Sequence, residues 1–249
     1  MPRIYGWIPD FPDVRDRVYQ LPRRATALPP SVDLRGGCPA VYDQGGLGSC
    51  TANAIGAAIE FDQMKQKLAV STPSRLFIYY NERDIEGTID TDCGAQIRDG
   101  IKSVASDGAC PETMWDYAAE KFSLRPPAAC YQYAKLHPAV QYDRVTQDVA
   151  HLKSCLAAGY PFVFGFTVYE TFEGDAVAKS GIVPMPGETE MEVGGHAVMA
   201  VGYNDAVERF LVRNSWGKTW GVGGYFTMPY AYLTDGNLAD DFWVIRVVR

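Results

Sequence analysis

The chain has 249 residues, of which 47% are hydrophobic, so it can bury a core as one large domain or two packed lobes. Its formal net charge of −7 argues against nucleic acid as the main partner. No apolar run is long enough to span a membrane, and the first residues lack the apolar core of a secretory signal, which favours the cytoplasm over non-classical secretion.

Residues 1–30 form a proline-rich segment, for which the sequence predicts an extended backbone. Five arginines and three aspartates give this segment a charge of +2, so the rest of the chain carries −9. Trp7, Ile8, Phe11 and Val14 supply apolar surface that a solvated tail would leave in water. We therefore predict that the segment docks on the remainder of the chain.

Four helices are predicted from the 3.6-residue spacing of apolar side chains and from stop signals. The first covers residues 49–68, with an apolar and a polar face, and the small residues of its first half are typical of a helix that passes through a core. The second begins near Ser71 and Pro73, and the third begins at Asp92 or Cys93 and ends at Gly108. The fourth covers residues 146–159.

Later residues are richer in β-branched and aromatic side chains, which predict strands over residues 162–169, 196–203, 209–214 and 224–228. A turn is predicted at Asn204 and Asp205. Helices that precede strands along the chain favour an α+β fold with two lobes.

The six cysteines are Cys38, Cys50, Cys93, Cys110, Cys130 and Cys155. Their spacing contains no pair of Cys-x-x-Cys motifs, so no structural metal site is predicted. Cys93 and Cys110 flank the third predicted helix, which would hold them roughly 20 Å apart, too far for a disulfide. If Cys50 is reactive, at least one other cysteine is unpaired.

Three stretches of the chain form a pattern typical of nucleophilic catalysis. Cys50 opens the first predicted helix after a glycine-rich turn, where the helix terminus and an imidazolium can lower a thiol pKa to roughly 3.5–7.5. His196, at a strand start, can act as the base, and Asn214 can hold its ring. Gln44, six residues before Cys50, is a natural oxyanion donor. This combination outweighs the usual interpretation of a lone cysteine in an alanine-rich helix, which is a small buried hydrophobe.

The other two histidines are interpreted as surface or structural residues. His137 precedes a proline, and His151 lies on the fourth predicted helix.

The stretches 44–50, 195–198 and 214–217 resemble the papain family of cysteine proteases, with most similarity to its bacterial branch. The resemblance extends from Leu28 to about residue 230. It implies a papain-like two-lobe fold, with a helical lobe over residues 31–135 and a β-barrel-like lobe over residues 136–249. The active-site cleft would lie between the lobes, and residues 1–30 would be a propeptide-like extension that covers it.

The resemblance implies a cysteine endopeptidase that acts on peptides or proteins through an acyl-thioenzyme, without a cofactor and as a monomer. Cys50 would be the nucleophile, His196 the base and acid, Asn214 the group that orients the imidazole, and Gln44 an oxyanion donor. The implied substrate-binding residues are Gly48, Gly94, Gly165, Gly194, Ala197 and Trp216. Gly165, Gly194 and Ala197 would line a pocket for a bulky apolar side chain two residues before the cut.

Three departures from the family pattern concern the surroundings of Cys50. Thr51 replaces a usual tryptophan, and Gly94 is followed by Ala95 where a second glycine is usual. Leu47 stands where secreted members carry a cysteine whose partner aligns with Cys93, which favours a reducing compartment.

Two other functions share some of these residues. Cys-His acyltransferases and transglutaminase-like enzymes generally orient histidine with an aspartate, which Asn214 disfavours. An inactive papain-like binding module often loses the cysteine or the histidine, and this chain keeps both.

Overall fold

A computed structural model of the protein describes residues 4–21, 27–136 and 140–247. Helix α1 (Cys50–Lys65) lies at its centre, and every residue from Cys50 to Asp62 is buried. The sequence predicted that the first half of this helix passes through a core, and the burial of these residues agrees with that prediction. Small residues let neighbouring elements approach this helix from all sides, and a helix packed all round needs no solvated face.

Two helices pack beside α1 on the same side of the sheet. Helix α2 (Arg75–Glu86) begins where the Ser74 side chain accepts a hydrogen bond from the Phe77 amide, and it ends at Gly87 with φ 71°. Helix α3 (Ile97–Asp107) ends at Gly108 as predicted, but it begins after the predicted start at Cys93. Gly94 has φ 83°, and strand β3 (Ala95–Gln96) is extended, so the chain cannot be helical there.

The remaining helices are short. Helix α4 (Ala128–Ala134) was not predicted. The fourth predicted helix is α5 (Val149–Ala157), which begins three residues later than expected because the Asp148 side chain accepts from the His151 amide and caps it. Helices α6 (Glu170–Glu173), α7 (Asp175–Ser180) and α8 (Tyr230–Thr234) connect strands, and 3₁₀ turns lie at residues 35–37 and 119–121.

The second half of the chain forms most of one seven-stranded antiparallel sheet. Its strands are β2 (Ser31–Asp33), β4 (Val140–Arg144), β5 (Phe162–Tyr169), β6 (Glu192–Asn204), β7 (Arg209–Arg213), β8 (Tyr225–Pro229) and β9 (Ala239–Val247). Their order is β4-β9-β5-β6-β7-β8, and β2 pairs with β6. The four predicted strands are present, whereas β2, β4 and β9 were not predicted. The sheet is open and does not close into the barrel-like form that was expected.

Both faces of the central strands are buried. On β5, Phe162, Phe164 and Phe166 belong to one apolar cluster, in which Phe164 stacks on Phe242 at 5.4 Å between ring centroids. Val163, on the opposite face, belongs to the cluster around α1. Alternate side chains of one strand therefore join two cores, so β5 and β6 fix the position of α1 relative to the sheet.

The described part of the N-terminal segment packs on the rest of the chain. Strand β1 (Trp7–Ile8) pairs in parallel with β3, and Tyr19 is buried against the sheet. Asp16 forms a 2.6 Å ion pair with Arg98. The expected burial of Phe11 and Val14 is wrong, because Phe11 is 74% exposed and Val14 is fully exposed. Much of the docking is therefore polar.

None of the helices in the described ranges is long and apolar enough to cross a membrane. His137 lies outside the described residues, and the proposed division of the chain at residues 30 and 135 stays a prediction.

Candidate active site

Cys50 is the first residue of α1, and its side chain is completely buried. The backbone amides of Ala197, Gly6 and Thr51 lie against its sulfur. Burial raises the pKa of the Cys50 thiol to about 12, because desolvation disfavours the thiolate more than these amides stabilise it. The structure thus places Cys50 next to the strand that carries His196, and it covers the thiol with the N-terminal segment.

His196 and Asn214 are joined by a hydrogen bond of 2.8 Å between the imidazole Nε2 and the amide Oδ1. An amide oxygen can only accept, so we assign the proton to Nε2. The same Oδ1 accepts from the Ser215 amide at 2.8 Å, which fixes the orientation of the Asn214 side chain. Both residues are buried, and the arrangement leaves Nδ1 as the ring nitrogen that can exchange a proton with another group.

Trp216 covers this hydrogen bond. Its ring stacks on the His196 imidazole with centroids 4.8 Å apart and an interplanar angle of 27°. Trp220 packs edge-on against Trp216 at 5.1 Å. Because the two indoles shield this site from water, the hydrogen bond between His196 and Asn214 is stronger than it would be in water.

Gln44, in the turn that precedes Cys50, is also buried. Its Nε2 donates to the Leu47 carbonyl at 2.8 Å, and its Oε1 accepts from the Ser215 hydroxyl at 2.6 Å. These two contacts fix the amide plane of Gln44 and leave its second N–H available. Ser215 was not singled out from the sequence, although it follows Asn214 directly.

Tyr117 is a second residue that the sequence reasoning missed. Its hydroxyl donates to the Gln44 carbonyl at 2.9 Å and lies 2.5 Å from the Ser49 hydroxyl. It comes from an irregular segment, where no periodic pattern marks a residue as part of a site.

The departure at Thr51 has a local explanation. The Thr51 hydroxyl donates to Glu82 Oε1 at 2.6 Å, in the packed space between α1 and α2. Burial raises the pKa of Glu82 well above its usual range, and the Thr51 hydrogen bond lowers it in part.

The predicted substrate-binding glycines contact the N-terminal segment. A β-carbon on Gly94 would meet the Gly6 oxygen at 2.2 Å, and one on Gly194 would meet Tyr5 Cβ at 2.7 Å. Gly48 also lies against Gly6, and Gly165 lies against Trp7. Ala197 is buried in the cluster around α1, against which Trp7 also packs.

Residues 5–7 thus follow a groove from His196 to β3. The Tyr5 ring lies 6.2 Å from those of His196 and Trp216, and its hydroxyl donates to Glu173. The Gly6 carbonyl accepts from the Ala95 amide at 2.8 Å.

No disulfide joins the cysteines, all of which lie in described residues. Within the described ranges, no group of His, Cys, Asp and Glu side chains is arranged to hold a metal ion.

Comparison with known proteins shows the family to which the chain belongs. The sequence profile of the papain family cysteine proteases matches residues 28–240. The chain belongs to the papain family. An uncharacterized peptidase C1-like protein of Acanthamoeba polyphaga mimivirus is 47% identical over 95% of this chain and 76% of its own length.

Solved structures of cysteine proteases have the same fold. The crystal structure of xylellain, a cysteine protease from Xylella fastidiosa, is 47% identical, covers 98% of this chain and 96% of its own, and superposes with a TM-score of 0.93. Bromelain from Ananas comosus in complex with the E64 inhibitor superposes with a TM-score of 0.65 at 20% identity, over 89% of this chain and 100% of its own, and shows the fold alone. The protein is therefore a papain-like cysteine peptidase with the mixed helix and sheet of that family.

Proposed function

We propose that the protein is a cysteine endopeptidase that hydrolyses peptide bonds through an acyl-thioenzyme. The observation that carries this proposal is the imidazole of His196, held through Nε2 by Asn214 and covered by Trp216, beside a thiol at a helix N-terminus. An asparagine as the orienting residue favours hydrolysis over the aspartate-oriented acyltransferases. Peptides or proteins are the proposed substrates, and the proposed active form is a monomer.

The proposed reaction begins when His196 Nδ1 takes the proton of the Cys50 thiol. The thiolate, which the α1 N-terminus stabilises, attacks the scissile carbonyl carbon. The second N–H of Gln44 and the backbone N–H of Cys50 stabilise the resulting oxyanion. His196 then protonates the leaving amine, and a water molecule activated by the same imidazole hydrolyses the thioester.

We further propose that residues 4–21 keep the peptidase activity of the full chain low. Gly6 contacts both Gly48 and the Cys50 sulfur, so the segment occupies the position that a substrate backbone needs. It also helps to bury the thiol, and burial raises the Cys50 pKa, although the Gly6 amide lowers this pKa in part. Displacement of the segment would open the groove to a substrate backbone.

The test uses Cys50→Ser and His196→Ala in the full chain. Each should abolish peptide hydrolysis and labelling by an epoxysuccinyl inhibitor, while the far-ultraviolet circular dichroism spectrum stays that of the wild type. Mass spectrometry of the labelled wild type should place the adduct on Cys50. More than a trace of turnover by pure Cys50→Ser would contradict the proposal.

A further inference from the structure

The guanidinium of Arg75 is buried next to the turn of residues 43–49, which leads into α1. Arg75 is the first residue of α2, and only 9% of its side chain is exposed. Its Nη1 donates to the Asp43 carbonyl at 3.3 Å and to Asn53 Oδ1 at 3.0 Å. One guanidinium nitrogen therefore joins the backbone that precedes α1 to a side chain of α1 itself.

The two contacts of Nη1 reach both ends of this turn. The Asp43 carbonyl belongs to the peptide bond that joins Asp43 to Gln44. At the other end, Asn53 Nδ2 donates to the Ser49 carbonyl at 2.8 Å and to the Ser49 hydroxyl at 3.1 Å. The Ser49 carbonyl belongs to the peptide bond that contains the Cys50 N–H. Gln44 and this N–H are the two proposed oxyanion donors, so Nη1 supports both of them, the second through Asn53.

The plane of the guanidinium is fixed by its other contacts. Its Nε and Nη2 donate to the two carboxylate oxygens of Glu112 at 2.8 Å and 2.7 Å, a bidentate pair that compensates the buried charge. Its central carbon lies 4.0 Å from the ring centre of Tyr117 and 4.7 Å from that of Tyr42. Because a planar group held at one edge and packed on rings cannot rotate freely, Nη1 at the other edge stays at a fixed point.

We propose that Arg75 is a positioning residue for the oxyanion hole. The inference rests on the proposed function, because it concerns the oxyanion of the same reaction. Oxyanion donors stabilise the transition state only when they point at the developing charge, and a displacement of about 0.5 Å weakens them. Loss of the Nη1 contacts should therefore lower kcat and leave KM nearly unchanged, since the ground state gains little from these donors.

A role confined to stability predicts a different result. The ion pair between Arg75 and Glu112 stabilises the fold from either side, so its loss would have the same effect whichever partner is changed. The positioning role assigns the effect on kcat to the Nη1 edge alone. Variants of the two partners therefore distinguish the two roles.

The test compares Arg75→Lys with the matched control Glu112→Gln in the full chain. Lysine keeps the positive charge, but one ammonium cannot replace both edges of a guanidinium, so kcat should fall about tenfold at constant KM. Alkylation of Cys50 by iodoacetamide forms no oxyanion at a carbonyl, and its rate should stay that of the wild type. Glu112→Gln removes the charge of the ion pair but leaves Nη1 in place, so its kcat should stay within about twofold of the wild type.

A double-mutant cycle locates the effect. In the Gln44→Ala background, Arg75→Lys should lower kcat only about threefold, because the Cys50 N–H is then the one of the two donors that Arg75 still supports. Asn53→Ala, which leaves Arg75 paired with Glu112, should also lower kcat about threefold at constant KM, and it serves if Arg75→Lys does not fold. An equal factor for Arg75→Lys in both backgrounds, an effect confined to KM, or an unchanged kcat in Asn53→Ala would overturn the proposal.

Hydrogen exchange gives a readout that does not depend on catalysis. The Gln44 amide donates to the Ser215 carbonyl at 2.9 Å, so its exchange reports opening of the turn. Relative to the amides of α1, it should exchange about tenfold faster in Arg75→Lys and at the wild-type rate in Glu112→Gln. Unchanged exchange in Arg75→Lys would overturn the positioning role. Failure of the proposed function would appear differently, as a wild type that hydrolyses no peptide while the Gln44 amide still responds to Arg75→Lys.

Discussion

The backbone of Gly6 lies so close to that of Gly48 that a β-carbon on residue 6 would meet the Gly48 oxygen at 1.7 Å. Gly48 lies two residues before Cys50, the first residue of α1, so this contact covers the Cys50 thiol and excludes solvent. Its tightness makes residue 6 the most sensitive position of the N-terminal segment.

We predict that Gly6→Ala lifts residues 4–8 from the groove, since a methyl group cannot fit against the Gly48 backbone. The rate of Cys50 alkylation by an epoxysuccinyl inhibitor should rise at least about tenfold, because water regains access to the thiol. Gly36→Ala is the matched control, since nothing lies within 4 Å of its β-carbon. An unchanged alkylation rate in Gly6→Ala would show that the segment does not limit access to Cys50.

Deletion of residues 1–27 is a less informative test. It would also remove the buried Tyr19 and the ion pair between Asp16 and Arg98, and hence part of the core. A loss of activity on truncation could then come from a loss of stability.

A second prediction concerns Gln44 and Ser215. Gln44→Ala should lower kcat by about 10²–10³ with little change in KM, because an oxyanion donor acts mainly in the transition state. Ser215→Ala should lower kcat by a smaller factor, about tenfold, because the amide of Gln44 remains but loses the 2.6 Å contact that orients it. Steady-state kinetics on one peptide measure both. An effect of either substitution confined to KM would assign these residues to substrate binding.

A third prediction is that the N-terminal segment docks more tightly in acid. Asp10 of the N-terminal segment lies close to Asp241 of β9. Among the described residues, only two arginines, Arg98 and Arg144, form ion pairs with the carboxylates of this cluster, which are Asp10, Asp16, Asp240 and Asp241. Burial, and then the charge of Asp241, raises the pKa of Asp10 from 3.8 to about 7. In the undocked segment this pKa would return toward 3.8, so docking takes up a proton. The stabilisation of the docked state is fully present below pH 3.8 and is lost as the pH rises through about 7.

Hydrogen exchange of residues 4–21, corrected for intrinsic rates, measures this effect. Protection should fall by up to about tenfold per pH unit between pH 4 and 7. Asp10→Asn, which mimics the protonated acid, should hold its protection nearly constant over this range. If the wild type and Asp10→Asn show the same pH profile, another group is responsible.

A fourth prediction concerns Tyr117, which joins the turn before Cys50 to a distant loop. Tyr117→Phe should lower the free energy of unfolding by about 1–3 kcal/mol, because the Gln44 carbonyl and the Ser49 hydroxyl lose a buried partner. Urea denaturation with an unchanged m-value would confirm that only native contacts were lost. A change below about 0.5 kcal/mol would mean that water replaces the hydroxyl.

The sequence predicted well what depends on local chemistry. Strand β5 was predicted with its observed bounds, and Gly108 ends α3 as expected, because β-branched runs and glycine stops are local signals. The residues from three motifs, Gln44, Cys50, His196 and Asn214, lie together in the structure, although their roles stay predictions. These four residues were identified from the spacing of residues within each motif.

What the sequence did not show depends on distant contacts. The small residues of α1 indicated a helix that passes through a core, but they did not show which strands and helices pack around it. Strand β9 was missed because Asp240 and Asp241 interrupt its apolar pattern, and only the pairing with β5 shows that they form a bulge. Asp241 was not a candidate residue, since its partner Trp7 lies 234 positions away.

The burial of α1 limits how often the helix that carries Cys50 can open. A helix enclosed on all sides opens only when the whole molecule unfolds, so its amide protons should exchange with the free energy of global unfolding. The N-terminal segment is held by a two-residue strand pairing, ion pairs, hydrogen bonds of Trp7 and Asp10 to Asp241, and the burial of Tyr19, and we expect it to open more often than α1. Cys50 therefore lies on an element whose amide protons should exchange slowly, while the segment that covers it should exchange faster, and a single exchange experiment can measure both.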